Sequence, residues 1–122
     1  LLSKFYRISD IYLHSSIYEG FGVVLSEAAL SGLPIVSTLS DGSYENIEDK
    51  KSGFLVNSSS SKEISKHIIK LIEDDQLRKR MGSYAKKRAI KKYDEEKNLN
   101  TRNQLWREVA RNGINSKKSL IN

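Results

Sequence analysis

Short apolar runs alternate with helical patterns and polar turns in the first half of the chain. Apolar positions within residues 1–8 recur at helical spacing, which predicts the end of an amphipathic helix. Residues 11–14, 35–38 and 54–56 are short, mostly apolar runs rich in β-formers, and each predicts a strand. Consecutive apolar positions are typical of strands that helices cover on both faces. The pattern therefore predicts an α/β fold with a parallel sheet.

The connections between these strands carry helix and turn signals. Residues 23–30 are apolar on almost all sides, which predicts a buried helix. Gly32 and Pro34 mark the end of that helix. Residues 41–43 predict a turn, and residues 44–48 predict a single helical turn. Helical or loop crossovers thus separate the strands, as parallel pairing requires.

The second half of the chain predicts three helices in succession. Ser60 and Glu63 have the spacing of a capping box that opens the first helix. A second helix follows, and Asp94 is expected to cap a third. We expect one domain over residues 1–111 and a flexible tail over residues 112–122.

The formal net charge of +6 on the 122 residues is unevenly distributed. Residues 1–61 carry four Lys or Arg against seven Asp or Glu, and residues 62–122 carry seventeen against eight. A basic helical half can contact nucleic acid or an anionic membrane. Interspersed acids and the lack of interleaved aromatic residues favour a solvated helix surface instead, so no nucleic-acid partner is predicted.

Cysteine is absent, which excludes disulfides, zinc–thiolate sites and thiol chemistry. No apolar run approaches the roughly 18 residues that span a bilayer. The start of the chain lacks the apolar core of a signal peptide. These features suit a cytoplasmic protein. A peripheral contact with anionic lipid at the inner face of the membrane stays open for the basic half.

The candidate chemistry is concentrated between Ser16 and Glu27, where a strand end, a glycine-flanked turn and a helix start follow one another. If the helix begins near Gly22, its first amide N–H groups have no intrahelical partner and point outward at the positive end of the helix dipole. That arrangement favours phosphate. It would lie at the carboxyl end of a strand, where open α/β sheets bind ligands. Gly20 and Gly22 allow close approach of a ligand or unusual backbone dihedrals.

Two carboxylates flank this turn. Glu27 lies five residues beyond Gly22, which is about 7–8 Å along a helix axis. That distance matches the offset between a diphosphate and its ribose, and a carboxylate there can accept hydrogen bonds from two vicinal hydroxyls. Glu19 would lie on the other side of the diphosphate, beside a transferred sugar. The alternative is that Glu19 only caps the helix and Glu27 is an exposed acid, but the surrounding strand, turn and helix favour the functional interpretation.

Residues 16–22, 25–29 and 31–36 resemble the group 1 glycosyltransferases, also called family 4. The resemblance extends over most of residues 1–111. That family consists of retaining, metal-independent enzymes of the GT-B fold, in which two Rossmann-like domains face each other across a cleft. The resemblance therefore implies part of a GT-B C-terminal domain, a Rossmann-like parallel sheet followed by C-terminal helices.

The resemblance also implies a role for individual residues. Glu19 matches the carboxylate that contacts the donor sugar and is tied to catalysis, and Glu27 matches the one that holds the ribose diol. The other residues implied in donor binding are Gly20, Phe21, Gly22, Val23 and Val24. No metal or other cofactor is expected, because the nucleoside-diphosphate sugar is the substrate.

Two parts of the family's enzymes have no counterpart in these residues, namely the acceptor-binding N-terminal domain and the Arg/Lys pair that clamps the diphosphate. No Lys or Arg occurs between Ile8 and Asp49. We therefore expect the chain to need the N-terminal domain as a partner and to be inactive alone. A non-catalytic nucleotide-sugar-binding or scaffold module is the alternative, and a basic nucleic-acid-binding protein is a weaker one.

Three further candidates have structural explanations. His14 ends a predicted strand and could act as a general base, but a strand-end histidine satisfied by its neighbours is favoured. His67 is predicted to be a surface residue. Asp74 and Asp75 resemble a metal pair, but capping of the following helix explains them better.

Overall fold

The computed structural model describes the backbone of residues 2–15, 22–57 and 60–121, and the side chains of residues 3–15, 22–57 and 60–112. Three strands and five helices lie in these ranges. In chain order they are α1 (Leu2–Ile8), β1 (Tyr12–His14), α2 (Val23–Leu30), β2 (Ile35–Thr38), α3 (Asp41–Asn46), β3 (Gly53–Val56), α4 (Ser61–Glu73) and α5 (Asp75–Ile121).

The three strands form one parallel sheet in the order β1-β2-β3. The central strand, β2, is buried along its whole length. Its residue Ile35 pairs with Tyr12 of β1 and with Gly53 of β3. The predictions of an α/β fold, of parallel pairing and of all three strands are confirmed.

Alternate residues of β2 contribute to two separate hydrophobic clusters, one on each face of the sheet. Ile35 belongs to a cluster with α1, α2 and α5, and Val36 belongs to a cluster with α4 and α5. Side chains alternate between the faces of a strand, so an uninterrupted apolar run supplies both clusters. The members of the first cluster are Tyr6, Leu25, Ala28, Ala29, Leu33, Ile35, Ile47 and Ala85. Those of the second are Val36, Phe54, Val56, Leu71 and Met81.

The start of α5 packs backbone to backbone against the turn between α2 and β2. A Cβ atom at Gly82 would overlap the carbonyl oxygen of Gly32 and lie 3.3 Å from Cδ of Pro34. Gly32 itself has φ +79°, a left-handed conformation that glycine adopts without strain. Two glycines therefore let α5 approach the end of α2 closely.

The predicted turn at residues 41–43 is wrong, because these residues form the first half of α3, Asp41–Asn46. The backbone N–H of Ser43 donates to the Ser40 hydroxyl at 3.2 Å, and the backbone N–H of Ser40 donates to the Ser43 hydroxyl at 2.7 Å. This reciprocal pair satisfies free amides at the helix start. Side-chain capping thus overrides the turn preference of Asp-Gly-Ser.

The later helices differ from the predictions at two residues that were expected to cap them. Ser60 is the N-cap of α4, but its side chain makes no capping hydrogen bond, so the predicted capping box does not form. Asp94 is not a cap, and α5 continues through it and past residue 112 to Ile121. No Pro or Gly lies between Gly82 and Gly113, so nothing in that interval breaks the helix. Asp74, by contrast, caps α5 as predicted, since its carboxylate accepts from the Leu77 N–H at 2.9 Å.

The chain divides into two compact units, residues 1–90 and 91–122. The first unit contains the sheet and both hydrophobic clusters. Between residues 91 and 112 of the second unit, the larger apolar side chains are exposed, with 71% exposure at Trp106. The predicted domain over residues 1–111 and the predicted tail stay predictions.

Candidate functional site

The N-terminus of α2 starts from a glycine in the left-handed conformation. Gly22 is the N-cap, with φ 61° and ψ 40°. Its carbonyl accepts from the N–H groups of Leu25 and Ser26, both at 3.0 Å. The amides that precede Leu25 have no carbonyl partner within the helix, and they lie at the positive end of its dipole. The structure thus confirms that a helix starts at this glycine.

Gly22 packs closely against α3, the helix that follows the neighbouring strand. A Cβ atom at Gly22 would lie 2.8 Å from Nδ2 of Asn46 and 3.1 Å from the carbonyl oxygen of Gly42. Asn46 is buried, and its side-chain amide donates to Gly42 O at 2.8 Å. The Ser26 hydroxyl donates to Asn46 Oδ1 at 2.7 Å. The Ser26–Asn46 bond thus joins the first half of α2 to the last residue of α3, and the Asn46–Gly42 bond holds that asparagine in place.

The first turn of α2 is less buried than its composition predicts. Val23 is 62% exposed and Val24 is partly buried, whereas Leu25 is fully buried. The helix therefore buries one side, and an exposed valine stands beside the free amides. Glu19, Gly20 and Phe21, the other residues predicted for catalysis and donor binding, lie outside the described residues.

Glu27 lies about one and a half turns further along α2 and is held by a tyrosine of α1. The Tyr6 hydroxyl donates to Oε2 of Glu27 at 3.1 Å. Tyr6 is buried in the first hydrophobic cluster, with 8% exposure, and its ring packs against Tyr12 with the centroids 5.9 Å apart. Burial of the phenol, together with its hydrogen bond to Glu27, raises the pKa of Tyr6 to about 12. The phenol therefore keeps its proton at neutral pH and serves Glu27 as a donor.

An open pocket of about 320 Å³ adjoins this carboxylate. It is lined by Ser3 and Tyr6 of α1, by Glu27 and Leu30 of α2, and by Ser31. Glu27 is partly buried, so its carboxylate borders both the protein interior and this space. The interpretation of Glu27 as a merely exposed helical acid is therefore wrong.

Sequence reasoning did not find Tyr6. The two residues of the pair are 21 positions apart, and only the packing of α1 on α2 brings them together. The one available signal was that Tyr6 lies on the predicted apolar face of α1 and carries a hydroxyl, since a buried tyrosine usually finds a hydrogen-bond partner. The sequence does not identify that partner.

The two histidines that were considered as candidates both stack on aromatic rings. His14 ends β1, and its ring stacks on Tyr12 with the centroids 6.3 Å apart. His67 is partly buried and stacks on Phe54 at 4.4 Å, so its prediction as a surface residue is wrong. His67 lies on α4 and packs against β3, an edge strand of the sheet.

An exposed cluster around Glu48 fastens α5 to the loop before β3. Tyr84 donates to Oε2 of Glu48 at 2.6 Å, and Lys51 Nζ lies 2.8 Å from Oε1. Hydrogen bonds from Lys51 and from Tyr84 lower the pKa of Glu48. Arg88 adds a hydrogen bond to the carbonyl of Glu45 at 3.1 Å. These cations are engaged with α3 and the loop after it.

The described ranges contain neither a candidate metal centre nor a membrane-spanning helix. No three His, Asp or Glu side chains there are grouped as metal ligands. Metal-independent chemistry nevertheless stays a prediction. Within the same ranges, every helix is too short or too polar to cross a membrane.

Comparison with known protein families matches residues 1–88 to the family described as glycosyl transferases group 1. The match covers the whole sheet and all the predicted donor-binding residues. The chain belongs to this family. The family predicted by resemblance is thereby confirmed, whereas the role of each site residue stays a prediction.

Solved structures of glycosyltransferases share the fold of this group 1 chain. The C-terminal domain of LpcC, a glycosyl transferase group 1 family protein from Francisella tularensis, is 32% identical with a TM-score of 0.68. The similarity covers 73% of this chain and 46% of the chain of that domain. HepE from Anabaena, in complex with UDP-glucose, is 33% identical with a TM-score of 0.67, over 70% of this chain and 24% of HepE's. Similarity to a C-terminal domain confirms the predicted part of the GT-B fold.

The chain is also similar in sequence to a protein that is named for a specific activity. Trehalose synthase of Pyrococcus horikoshii is 34% identical over 92 residues, which is 75% of this chain and 22% of that protein. The chain thus spans less than a quarter of the length of trehalose synthase and of HepE.

Proposed function

We propose that this group 1 chain is the donor-binding part of a glycosyltransferase that transfers a sugar from a nucleoside-diphosphate sugar to an acceptor with retention. Family membership and the similarity to HepE, which binds UDP-glucose, support this class of substrate. The observation that carries the proposal is the position of Glu27. Its carboxylate is held by Tyr6, beside an open pocket, about one and a half turns from the N-terminus of α2.

The diphosphate would lie at the N-terminus of α2. Phosphate is favoured there because free amides and the helix dipole supply positive potential. No Lys or Arg occurs between Ile8 and Asp49, so the amides would be the first partners of the diphosphate in this stretch of the chain. Exposed Val23 would border the same space. Backbone donors of this kind bind phosphate without a salt bridge and are fixed in place by the Ser26–Asn46 bond.

The ribose would lie beside Glu27, about 7–8 Å further along the helix. One carboxylate oxygen, Oε2, accepts from Tyr6, which leaves Oε1 for the ribose diol. A carboxylate close to a diphosphate is repelled by it, so neutral hydroxyl groups are the suitable partners at this position.

Glu19 would contact the transferred sugar on the other side of the diphosphate, with Gly20 and Phe21 in the intervening turn. In the proposed reaction the bond from the anomeric carbon to the β-phosphate oxygen breaks, and the nucleoside diphosphate departs with its electron pair. An acceptor hydroxyl oxygen bonds to the anomeric carbon on the same face, and its proton passes to the departing diphosphate. Amides at the helix terminus would stabilise the charge that develops on the leaving diphosphate.

The acceptor wall and a cationic clamp on the diphosphate would come from other parts of the natural protein. We therefore propose that the 122 residues alone do not turn over. We also propose a metal-independent reaction in the cytoplasm, with anionic lipid as a peripheral contact of the basic half. Activity of the full protein that survives EDTA would support metal independence. Loss of activity in EDTA that a divalent cation restores would contradict it.

Steady-state kinetics of the full natural protein test the donor site. Glu27→Ala should raise the KM for the donor by about 10- to 100-fold, which is the effect of losing about one hydrogen bond to a charged group, worth roughly 1.5–3 kcal/mol. Glu19→Ala should lower kcat more than it changes KM. Glu63→Ala, an exposed acid of α4, is the matched control. The anomeric configuration of the product, read by NMR, checks retention.

Two outcomes would contradict the proposal. Unchanged kinetics in both Glu19→Ala and Glu27→Ala would remove the roles assigned to these carboxylates. Binding of the donor without any turnover, in the longest chain that the gene encodes, would favour the alternative of a non-catalytic nucleotide-sugar-binding module.

A further inference from the structure

We infer that Tyr6 is a positioning residue, whose hydroxyl holds the Glu27 carboxylate in the orientation that receives the ribose diol. This inference rests on the proposed function, and it adds to that proposal a residue of α1. The Tyr6 hydroxyl donates to one carboxylate oxygen, Oε2, at 3.1 Å.

The hydrogen bond restricts a side chain that would otherwise be mobile. A glutamate side chain has three rotatable bonds, and ordering it costs conformational entropy. Because Tyr6 anchors Oε2 before any ligand arrives, the ordering is already present in the free protein. Among the described residues the structure shows a hydrogen bond to Oε2 of Glu27 only, and Glu27 borders the pocket, so the ribose diol is assigned to the opposite oxygen, Oε1.

The tyrosine is itself rigid, which a positioning residue requires. Its ring is 8% exposed in the hydrophobic cluster with Leu25 and Ala28, and it packs on Tyr12. Its hydroxyl is a lasting donor, because burial and the hydrogen bond to Glu27 raise the pKa of Tyr6 to about 12. The phenol therefore stays protonated at neutral pH.

The test is the affinity of the full natural protein for nucleoside diphosphates, measured by calorimetry. UDP, ADP and GDP are titrated first, and the one that the wild type binds best is compared with its 2′,3′-dideoxy analogue. Tyr6→Phe keeps the ring and removes only the hydroxyl. It should weaken binding of the ribonucleotide by roughly threefold to tenfold, less than the loss of a direct charged hydrogen bond. Its effect on the dideoxy analogue should be under about twofold, since the diol that Glu27 receives is absent.

Tyr84→Phe is the matched control. It also removes a tyrosine hydroxyl that donates to a glutamate, Glu48, at 2.6 Å, but on another surface of the same unit. It should leave both affinities unchanged. In kinetics, Tyr6→Phe should raise the donor KM with kcat nearly constant, whereas general damage to the fold would lower kcat as well.

The outcomes separate this inference from the proposed function. If Glu27→Ala weakens ribonucleotide binding and Tyr6→Phe does not, or if Tyr6→Phe weakens both nucleotides equally, the inference is overturned and the donor site stands. If the wild type binds none of the three nucleotides, or Glu27→Ala changes nothing, both are overturned.

A second measurement applies if Tyr6→Phe does not fold. The phenolic proton of Tyr6 in the wild type should give a slowly exchanging NMR signal that Glu27→Ala abolishes and that the bound ribonucleotide shifts. Absence of any shift on saturation with the nucleotide would also overturn the inference.

Discussion

Replacing Gly22 with alanine should destabilise the protein more than the same replacement at Gly32. Both glycines have positive φ, +61° at Gly22 and +79° at Gly32. An alanine in the left-handed region costs about 1–2 kcal/mol at either position. The surroundings differ, because a Cβ atom at Gly32 would meet nothing closer than Cδ of Lys86 at 3.9 Å.

At Gly22 the new methyl group would meet three neighbours that cannot easily move. It would lie 2.8 Å from Nδ2 of Asn46, 3.1 Å from the Gly42 carbonyl oxygen and 3.2 Å from Cδ1 of Leu25. The Asn46 amide is held by hydrogen bonds to Gly42 and Ser26. Overpacking of this kind adds about 1–3 kcal/mol. We therefore expect a loss of about 2–5 kcal/mol for Gly22→Ala and about 1–2 kcal/mol for Gly32→Ala.

Urea unfolding followed by far-UV circular dichroism measures both losses. The free energies are compared only where the slopes against urea agree. A double variant with Asn46→Ala serves as a check, because removing the blocking amide should recover part of the loss at Gly22. Equal losses at Gly22 and Gly32 would refute the reasoning, since they would mean that α3 does not enclose the start of α2.

Two further predictions concern the attachment of α5. Gly82→Ala should destabilise the protein by about 1–3 kcal/mol through overlap with the Gly32 carbonyl, despite the better helix propensity of alanine. Ser83→Ala, at an exposed neighbouring position, is its control in the same urea assay. Wild-type stability of Gly82→Ala would contradict the close packing. Glu48 has its pKa lowered by hydrogen bonds from Lys51 and Tyr84, so it contributes stability above its unfolded-state pKa, and that contribution is lost as the pH falls through its folded-state pKa. The wild type should therefore lose more stability than Glu48→Gln below roughly pH 4.5, the ordinary range of a glutamate; parallel curves of urea midpoint against pH would contradict this.

The sheet could be predicted from the sequence because its signal is local. The run Ile35–Thr38 is apolar or small at every position, and the structure buries all four residues. Ile35 and Val36 supply opposite faces of the sheet, as a parallel strand under two helical layers requires. The helix start at Gly22 could be predicted for the same reason, since a glycine before an apolar run is a local signal.

The missed helix boundaries depend on competition between local signals. Ser40 and Ser43 cap each other, which turns the Asp-Gly-Ser sequence into the start of α3. Asp94 has a residue type that caps helices, but no helix breaker stands near it, and α5 continues. A cap residue marks a helix start only where the preceding helix has a reason to end.

The missed part of the candidate site depends on tertiary packing. Tyr6 and Glu27 lie on different helices, and no spacing rule relates positions 21 apart. The motif around Glu27 indicates which carboxylate to examine, whereas its partner depends on how α1 packs against α2. Likewise, Asn46 gives no sequence signal that it bridges Ser26 and Gly42.

A crystal structure of the full natural protein with its preferred nucleoside diphosphate tests the central claim most directly. The account predicts the diphosphate within hydrogen-bond distance of the amides at the start of α2, and the ribose hydroxyls on Oε1 of Glu27 with Tyr6 still bonded to Oε2. A nucleotide bound elsewhere, or a ribose turned away from Glu27, would contradict the account.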